Sequence, residues 1–184
     1  MSKIEPTKNP PCRTNTTKYD FTVIYNHHFK LWKYGWFDII HCQVSGMRGD
    51  SYTPAGFFAS LLDHRIYRRD YCTSMRETDG GHGPFLIERL KPSDFVEISF
   101  DEWIGHIHAR YVDPEGPPDK RQTDAIEDYI NGLPLKEMRY FRLAVNLEDK
   151  KYHLESWFIH TFFDEYILLN PQHENMWLMV MGED

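Results

Sequence analysis

Arg139–Phe163, RYFRLAVNLEDKKYHLESWFIHTFF, is the stretch on which the fold class turns. Phe141, Leu143, Val145 and Leu147 fall on every second position, the period of a half-buried strand. Glu148, Asp149, Lys150 and Lys151 then read as a polar tip. A return strand is predicted beyond them. One face would carry Tyr152, Leu154, Ser156, Phe158 and His160, and the other His153, Glu155, Trp157, Ile159 and Thr161. Two alternating arms around a polar tip predict a hairpin, and so an antiparallel sheet. Downstream, Phe162–Leu169 fits a strand or a single helical turn, and Asn170–Asn175 a turn. Trp177–Met181 is apolar throughout, as in a strand covered on both faces.

Upstream, Tyr19–Tyr25 and Trp36–Val44 are rich in β-branched and aromatic residues and read as strands. Thr53 and Pro54 form a helix start, N-cap followed by proline at N1, and Phe57, Phe58, Leu61 and Leu62 give that helix one apolar face. Thr78–Pro84 is glycine-dense and reads as a loop; Phe85–Leu90 and Phe95–Phe100 read as short strands. Trp103–Val112 is predicted as a further strand, with a helical turn opened by Asp101 and Glu102 as the alternative. Asp113–Lys120 holds three prolines and a glycine and is the strongest break in the chain, read as a long loop. A second helix is expected after it, capped by Thr123, with Ile126, Tyr129 and Ile130 on one face. The sum is an α+β chain: a single domain over residues 18–184, with six to nine mostly antiparallel strands and two short helices. Two helices so far apart cannot cross over a parallel sheet repeatedly, which excludes a doubly wound fold. Residues 1–17, with Pro6, Pro10 and Pro11 and little that is apolar, read as a loosely ordered tail.

Composition narrows the function classes. The chain has 184 residues, enough to bury roughly 70% of its extended surface without disulfides. Its formal charge of -7 is unevenly spread. Residues 1–92 carry 13 Lys+Arg against 9 Asp+Glu, a net of +4, and residues 93–184 carry 8 against 19, a net of -11. An acidic half opposes a phosphate backbone and an anionic membrane surface, and it favours a cationic partner or a metal. Three widely spaced cysteines, Cys12, Cys42 and Cys72, with no C-x-x-C, fit free thiols in a reducing compartment. The start MSKIEPTKNPPC lacks an apolar run, so no signal peptide is expected, and a cytoplasmic location follows.

Several constellations could carry chemistry. On a strand, His106 and His108 would share a face and could hold a divalent metal, with Asp113 or Glu115 supplying oxygen. The chain has ten histidines, but H-E-x-x-H and the EF-hand loop are missing. Asp79–Pro84 could form an anion nest but lacks the Lys-Ser/Thr of a P-loop. No G-x-S-x-G elbow surrounds any serine. Cys42, next to His41, would point away from it on a strand. Glu155, Glu165 and Asp164 could be paired carboxylates, or part of an acidic recognition surface with Asp101, Glu102, Asp124, Glu127 and Asp128. Aromatics lie among them, Trp157 and Tyr166 included, and rings beside carboxylates suit a basic protein partner.

The expected function is therefore an acidic protein-binding module. Its concrete form is an immunity or antitoxin-type inhibitor that captures a basic toxin through Asp101, Glu102, Glu155, Trp157, Asp164, Glu165 and Tyr166. That reading needs no cofactor. The alternatives are a metal-dependent enzyme centred on His106 and His108, and an accessory protein that mimics nucleic-acid charge.

Overall fold

The apolar strand at the end of the chain is the middle of the molecule. In the computed structural model, which describes residues 19–49, 52–69, 71, 80–111, 119–153 and 162–183, strand β8 (Asn175–Glu183) is buried at every position except its two ends. Met176, Leu178 and Val180 enter one core, and Trp177, Met179 and Met181 enter a second core on the opposite face. A continuous apolar run is what a doubly covered strand requires.

β8 lies between β2 (Gly35–Ser45) and β7 (Phe162–Asn170). Outside these lie β1 (Asp20–Lys30) on one side, and β6 (Arg139–Leu143) then β5 (Phe95–Ile98) on the other. The order β1-β2-β8-β7-β6-β5 is antiparallel at every step. A small hairpin, β3 (Gly81–His82) with β4 (Phe85–Leu86), stands apart from the main sheet. The α+β, sheet-dominated expectation holds.

Helix α1 (Pro54–Asp63) covers the first core. The Thr53 hydroxyl accepts from the Gly56 amide at 3.2 Å, and Phe57, Phe58, Leu61 and Leu62 are buried, as the sequence predicts. Two helices cover the second core: α2 (Phe100–Ala109) and α3 (Lys120–Asn131).

Helix α2 corrects the strand predicted at Trp103–Val112. Ser99 and Glu102 form a reciprocal capping box, the Ser99 hydroxyl accepting from the Glu102 amide at 3.1 Å and the Glu102 carboxylate accepting from the Ser99 amide at 2.8 Å. The same cap ends β5 at Ile98, short of the expected Phe100. Trp103 and Ile107, four apart, then point into the second core. In α3 the cap is Asp119, whose carboxylate accepts from the Arg121 amide at 3.0 Å. Thr123, the predicted cap, sits inside the helix and donates its hydroxyl to the Lys120 carbonyl. The described residues thus hold three α-helices, where two were expected.

The predicted hairpin is also redrawn. β6 pairs with β7, with Phe141 opposite Ile167. After Leu143 the chain leaves the sheet, and Lys150–Tyr152 form a 3-10 turn. Of the expected return strand, residues 154–161 lie outside the described residues, as do the 1–17 tail and most of the 113–120 break. Phe162–Leu169 resolves as strand.

Candidate functional site

Antiparallel register aligns Asp38 of β2, Val180 of β8 and Glu165 of β7 in one row across the sheet. Residues directly opposite one another share a face, so both carboxylates enter the first core, on either side of Val180. Each takes a histidine. The Asp38 Oδ1 lies 2.7 Å from Nδ1 of His28 on β1, and Glu165 Oε2 lies 2.6 Å from Nε2 of His82 on β3.

His82 and Glu165 are both fully buried side chains. The His82 Nδ1 faces the Tyr67 carbonyl, which can only accept, so Nδ1 carries a hydrogen. The Nε2–Oε2 contact therefore shares one proton between imidazole and carboxylate. Tyr67 donates its hydroxyl to the other oxygen, Oε1, at 2.7 Å, and its ring stacks on the imidazole with centroids 3.7 Å apart. Burial, then the Glu165 charge, pushes the Tyr67 phenol well above its usual value, so it remains a donor. Gly83, next to His82, lets the turn of the small hairpin close onto Phe163 of β7. Its φ is +50°, and a Cβ there would fall 2.4 Å from the Phe163 ring. Tyr71, buried and stacked on Trp36 with centroids 5.5 Å apart, has a hydroxyl with no hydrogen-bond partner. At Asp38 burial raises the carboxyl above its ordinary value, and the His28 hydrogen bond only partly opposes this. Sealed from solvent, the His82–Glu165–Tyr67 group ties the turn after α1, the small hairpin and the main sheet together.

The expected binding residues part company here. Glu165, 1% exposed, Asp164, 6% exposed, and Tyr166, 0% exposed, belong to the interior and offer nothing to a docking protein. One core lies on each face of the sheet at β7, so both of its faces are covered. Glu155 and Trp157 lie outside the described residues. Asp101 and Glu102 are exposed on the first turn of α2. They stand on a helical layer with Asp124 and Asp128 of α3, also exposed, and half-buried Glu127. His108 Nε2 meets Glu127 Oε1 at 3.0 Å and links the two helices. Lys120 meets Asp124 at 2.6 Å, and Arg121 is the other cation of α3. The Ser99 amide and hydroxyl hold the Glu102 carboxyl below its ordinary range, so it remains charged.

His106 and His108 do not converge. Two positions on a helix are about 200° apart around the axis. His108 accordingly faces α3, while His106 turns toward the Tyr166 ring, 6.0 Å away. Among the described residues no three His, Cys, Asp or Glu side chains are placed to hold a metal ion, and no helix is long and apolar enough to cross a membrane. Asp38 and Tyr67 carry no signal in the sequence, while His28 and His82 stand there only among the ten histidines, His82 also within the Asp79–Pro84 loop. The signal for them is cross-strand register, which pattern alone does not contain. No protein-family model, curated protein or solved structure matches the chain.

Proposed function

We propose that this chain is a protein-binding module that presents the outer face of α2 and α3 to a cationic partner. The supporting observation is the charge of that layer. Asp101 and Glu102 of α2 and Asp124 and Asp128 of α3 are each exposed, with Glu127 meeting His108 between the helices, against Lys120 and Arg121 on α3. Asp124 and Asp128 lie four apart, one turn of α3, so they project side by side. The helices rest on a core of Trp103, Ile107, Ile126 and Ile130, which fixes the face as a rigid platform. Such a platform raises association rates by steering and rejects acidic competitors. The concrete form is an inhibitor of the immunity or antitoxin type, which covers the basic active surface of a toxin.

The test is recovery of partners from the producing cell with the wild-type chain and with the double variant Asp124→Lys, Asp128→Lys. A partner held by the wild type, lost by the variant and released by salt is the expected result. A complex that survives charge reversal, or whose affinity is flat with ionic strength, removes this reading.

A further inference from the structure

Beneath the acidic layer lies a basic cluster that docking on its outer face does not use. Asp164 and Tyr166, two apart on β7, project to the second core face, and Tyr166 pairs in register with Arg142 of β6. Helix α2 contributes His106, and its C-cap residue is Arg110, one turn further on. The Asp164 carboxylate accepts from both arginines, from Arg110 Nε at 2.6 Å and Arg142 Nη2 at 3.2 Å. The Tyr166 hydroxyl lies in the field of these same three charges.

Three polar atoms here have no hydrogen-bond partner: Tyr166 Oη, Arg142 Nε and His106 Nδ1. A buried polar group without a partner is a place where a ligand atom can bond, and these three sit on neighbouring elements: the His106 and Tyr166 rings lie 6.0 Å apart, and Tyr166 faces Arg142 across the ladder of β6 and β7. The Tyr166 side chain is fully buried, whereas the Arg110 and Arg142 side chains are 38% and 40% exposed. The unpartnered atoms are buried, while the Arg110 and Arg142 side chains beside them reach solvent. Two guanidinium groups against one carboxylate leave a positive surplus, inside the half of the chain that is otherwise acidic.

We propose that Arg110, Arg142, His106 and Tyr166 form a binding site for a phosphoryl group, with Asp164 as a built-in carboxylate that competes for the two arginines. Arginine forks fit carboxylate and phosphate alike. Three donors select the tetrahedral ion, because it offers one oxygen to each and still has charge for the guanidinium groups. His106 contributes a donor in the tautomer protonated at Nδ1, or as imidazolium. The site holds one phosphoryl group, not a nucleic-acid backbone, and it does not depend on the partner docking at the acidic face.

Inorganic phosphate, glycerol 2-phosphate and acetate titrated into the full chain, followed by calorimetry and phosphorus NMR, test this. Saturable one-to-one binding of either phosphate is expected, with acetate at least about tenfold weaker. The better of the two phosphates tells whether the natural group is the free ion or an ester. Tyr166→Phe keeps the ring and its packing and should weaken binding about tenfold, the loss of one hydrogen bond to a charged ligand. Arg142→Gln should remove binding, and Asp164→Asn should tighten it by freeing both guanidinium groups, a gain that a purely structural Asp164 would not give. Absence of saturable phosphate binding overturns the proposal. So does binding unchanged in Tyr166→Phe, which decides the matter even if Arg142→Gln fails to fold.

Discussion

At the scale of single residues, the buried carboxylates govern the interior of this protein. Glu165 is held by an imidazole and a phenol out of reach of bulk solvent, so removing one partner leaves a charge or a donor stranded. Tyr67→Phe deletes one hydrogen bond to a carboxyl group and should lower stability by ~1.5–3 kcal/mol in urea unfolding. His82→Ala removes the other partner and should cost ~3–5 kcal/mol by the same measurement. Equal stability of either variant and wild type would show that Glu165 is satisfied elsewhere. Asp38 differs in sign. Its carboxyl is raised above the unfolded value of 3.8, chiefly by burial. Below that value both states hold the proton and the shift contributes nothing. As pH rises through the native value, the folded state must carry a buried charge, and stability falls to a lower plateau. Asp38→Asn removes that loss. The variant should gain on wild type as pH rises from acid toward neutral, and unfolding curves at several pH values would read it. A gap that narrows with rising pH would refute the burial argument.

At the scale of elements, local signals competed with periodicity, and caps won. Along the chain, Trp103–Val112 fits a strand, with a helical turn opened by Asp101 and Glu102 as the alternative, and the structure takes the helix. Ser99 and Glu102 settle the matter by satisfying the first amides of a helix, and Trp103 and Ile107 then share its inner face. Ser99→Ala should cost ~1 kcal/mol and fray α2, seen as lost helical ellipticity and a lower melting temperature. The hairpin at Arg139–Phe163 failed for a related reason. Val145 and Leu147 do pack on the first core, so their alternation reports burial, but they make no ladder. Asn146 accepts from the Glu148 amide at 2.9 Å and Asp149 caps the 3-10 turn, and these turns draw the chain out of the sheet. Within the sheet, Gly182 has a specific task. A Cβ there would lie 2.3 Å from the Trp36 ring on the neighbouring strand. Gly182→Ala should overpack the row and cost ~1–3 kcal/mol, measured by thermal unfolding. A neutral result would mean that Trp36 can swing aside.

At the scale of the molecule, one strand belongs to two cores. Leu178 of β8 faces the layer under α1, and its neighbour Met179 faces the layer under α2 and α3. Leu178→Ala should cost ~2–5 kcal/mol and lower the unfolding transition of both faces together, so that tryptophan fluorescence and far-UV ellipticity still coincide. Separate transitions would mean that the two cores fold apart. The amino-acid sequence by itself determined the α+β class, the antiparallel sheet, the double burial of Trp177–Met181 and the cap of α1. These depend on propensity, short-range caps and the period of apolar residues, all of which act over a few positions. It also determined the acidic balance of the second half. Only the tertiary structure decided which carboxylates lie outside. Asp164 and Glu165 differ from Asp101 and Glu102 in no property visible along the chain. They are interior because a core layer packs on each face of β7, and those layers are assembled by contacts between residues far apart in sequence. The same long-range pairing places His28 against Asp38, His82 against Glu165, and Arg110 and Arg142 on either side of Asp164. Each of these groupings joins separate elements, so no local pattern could announce it.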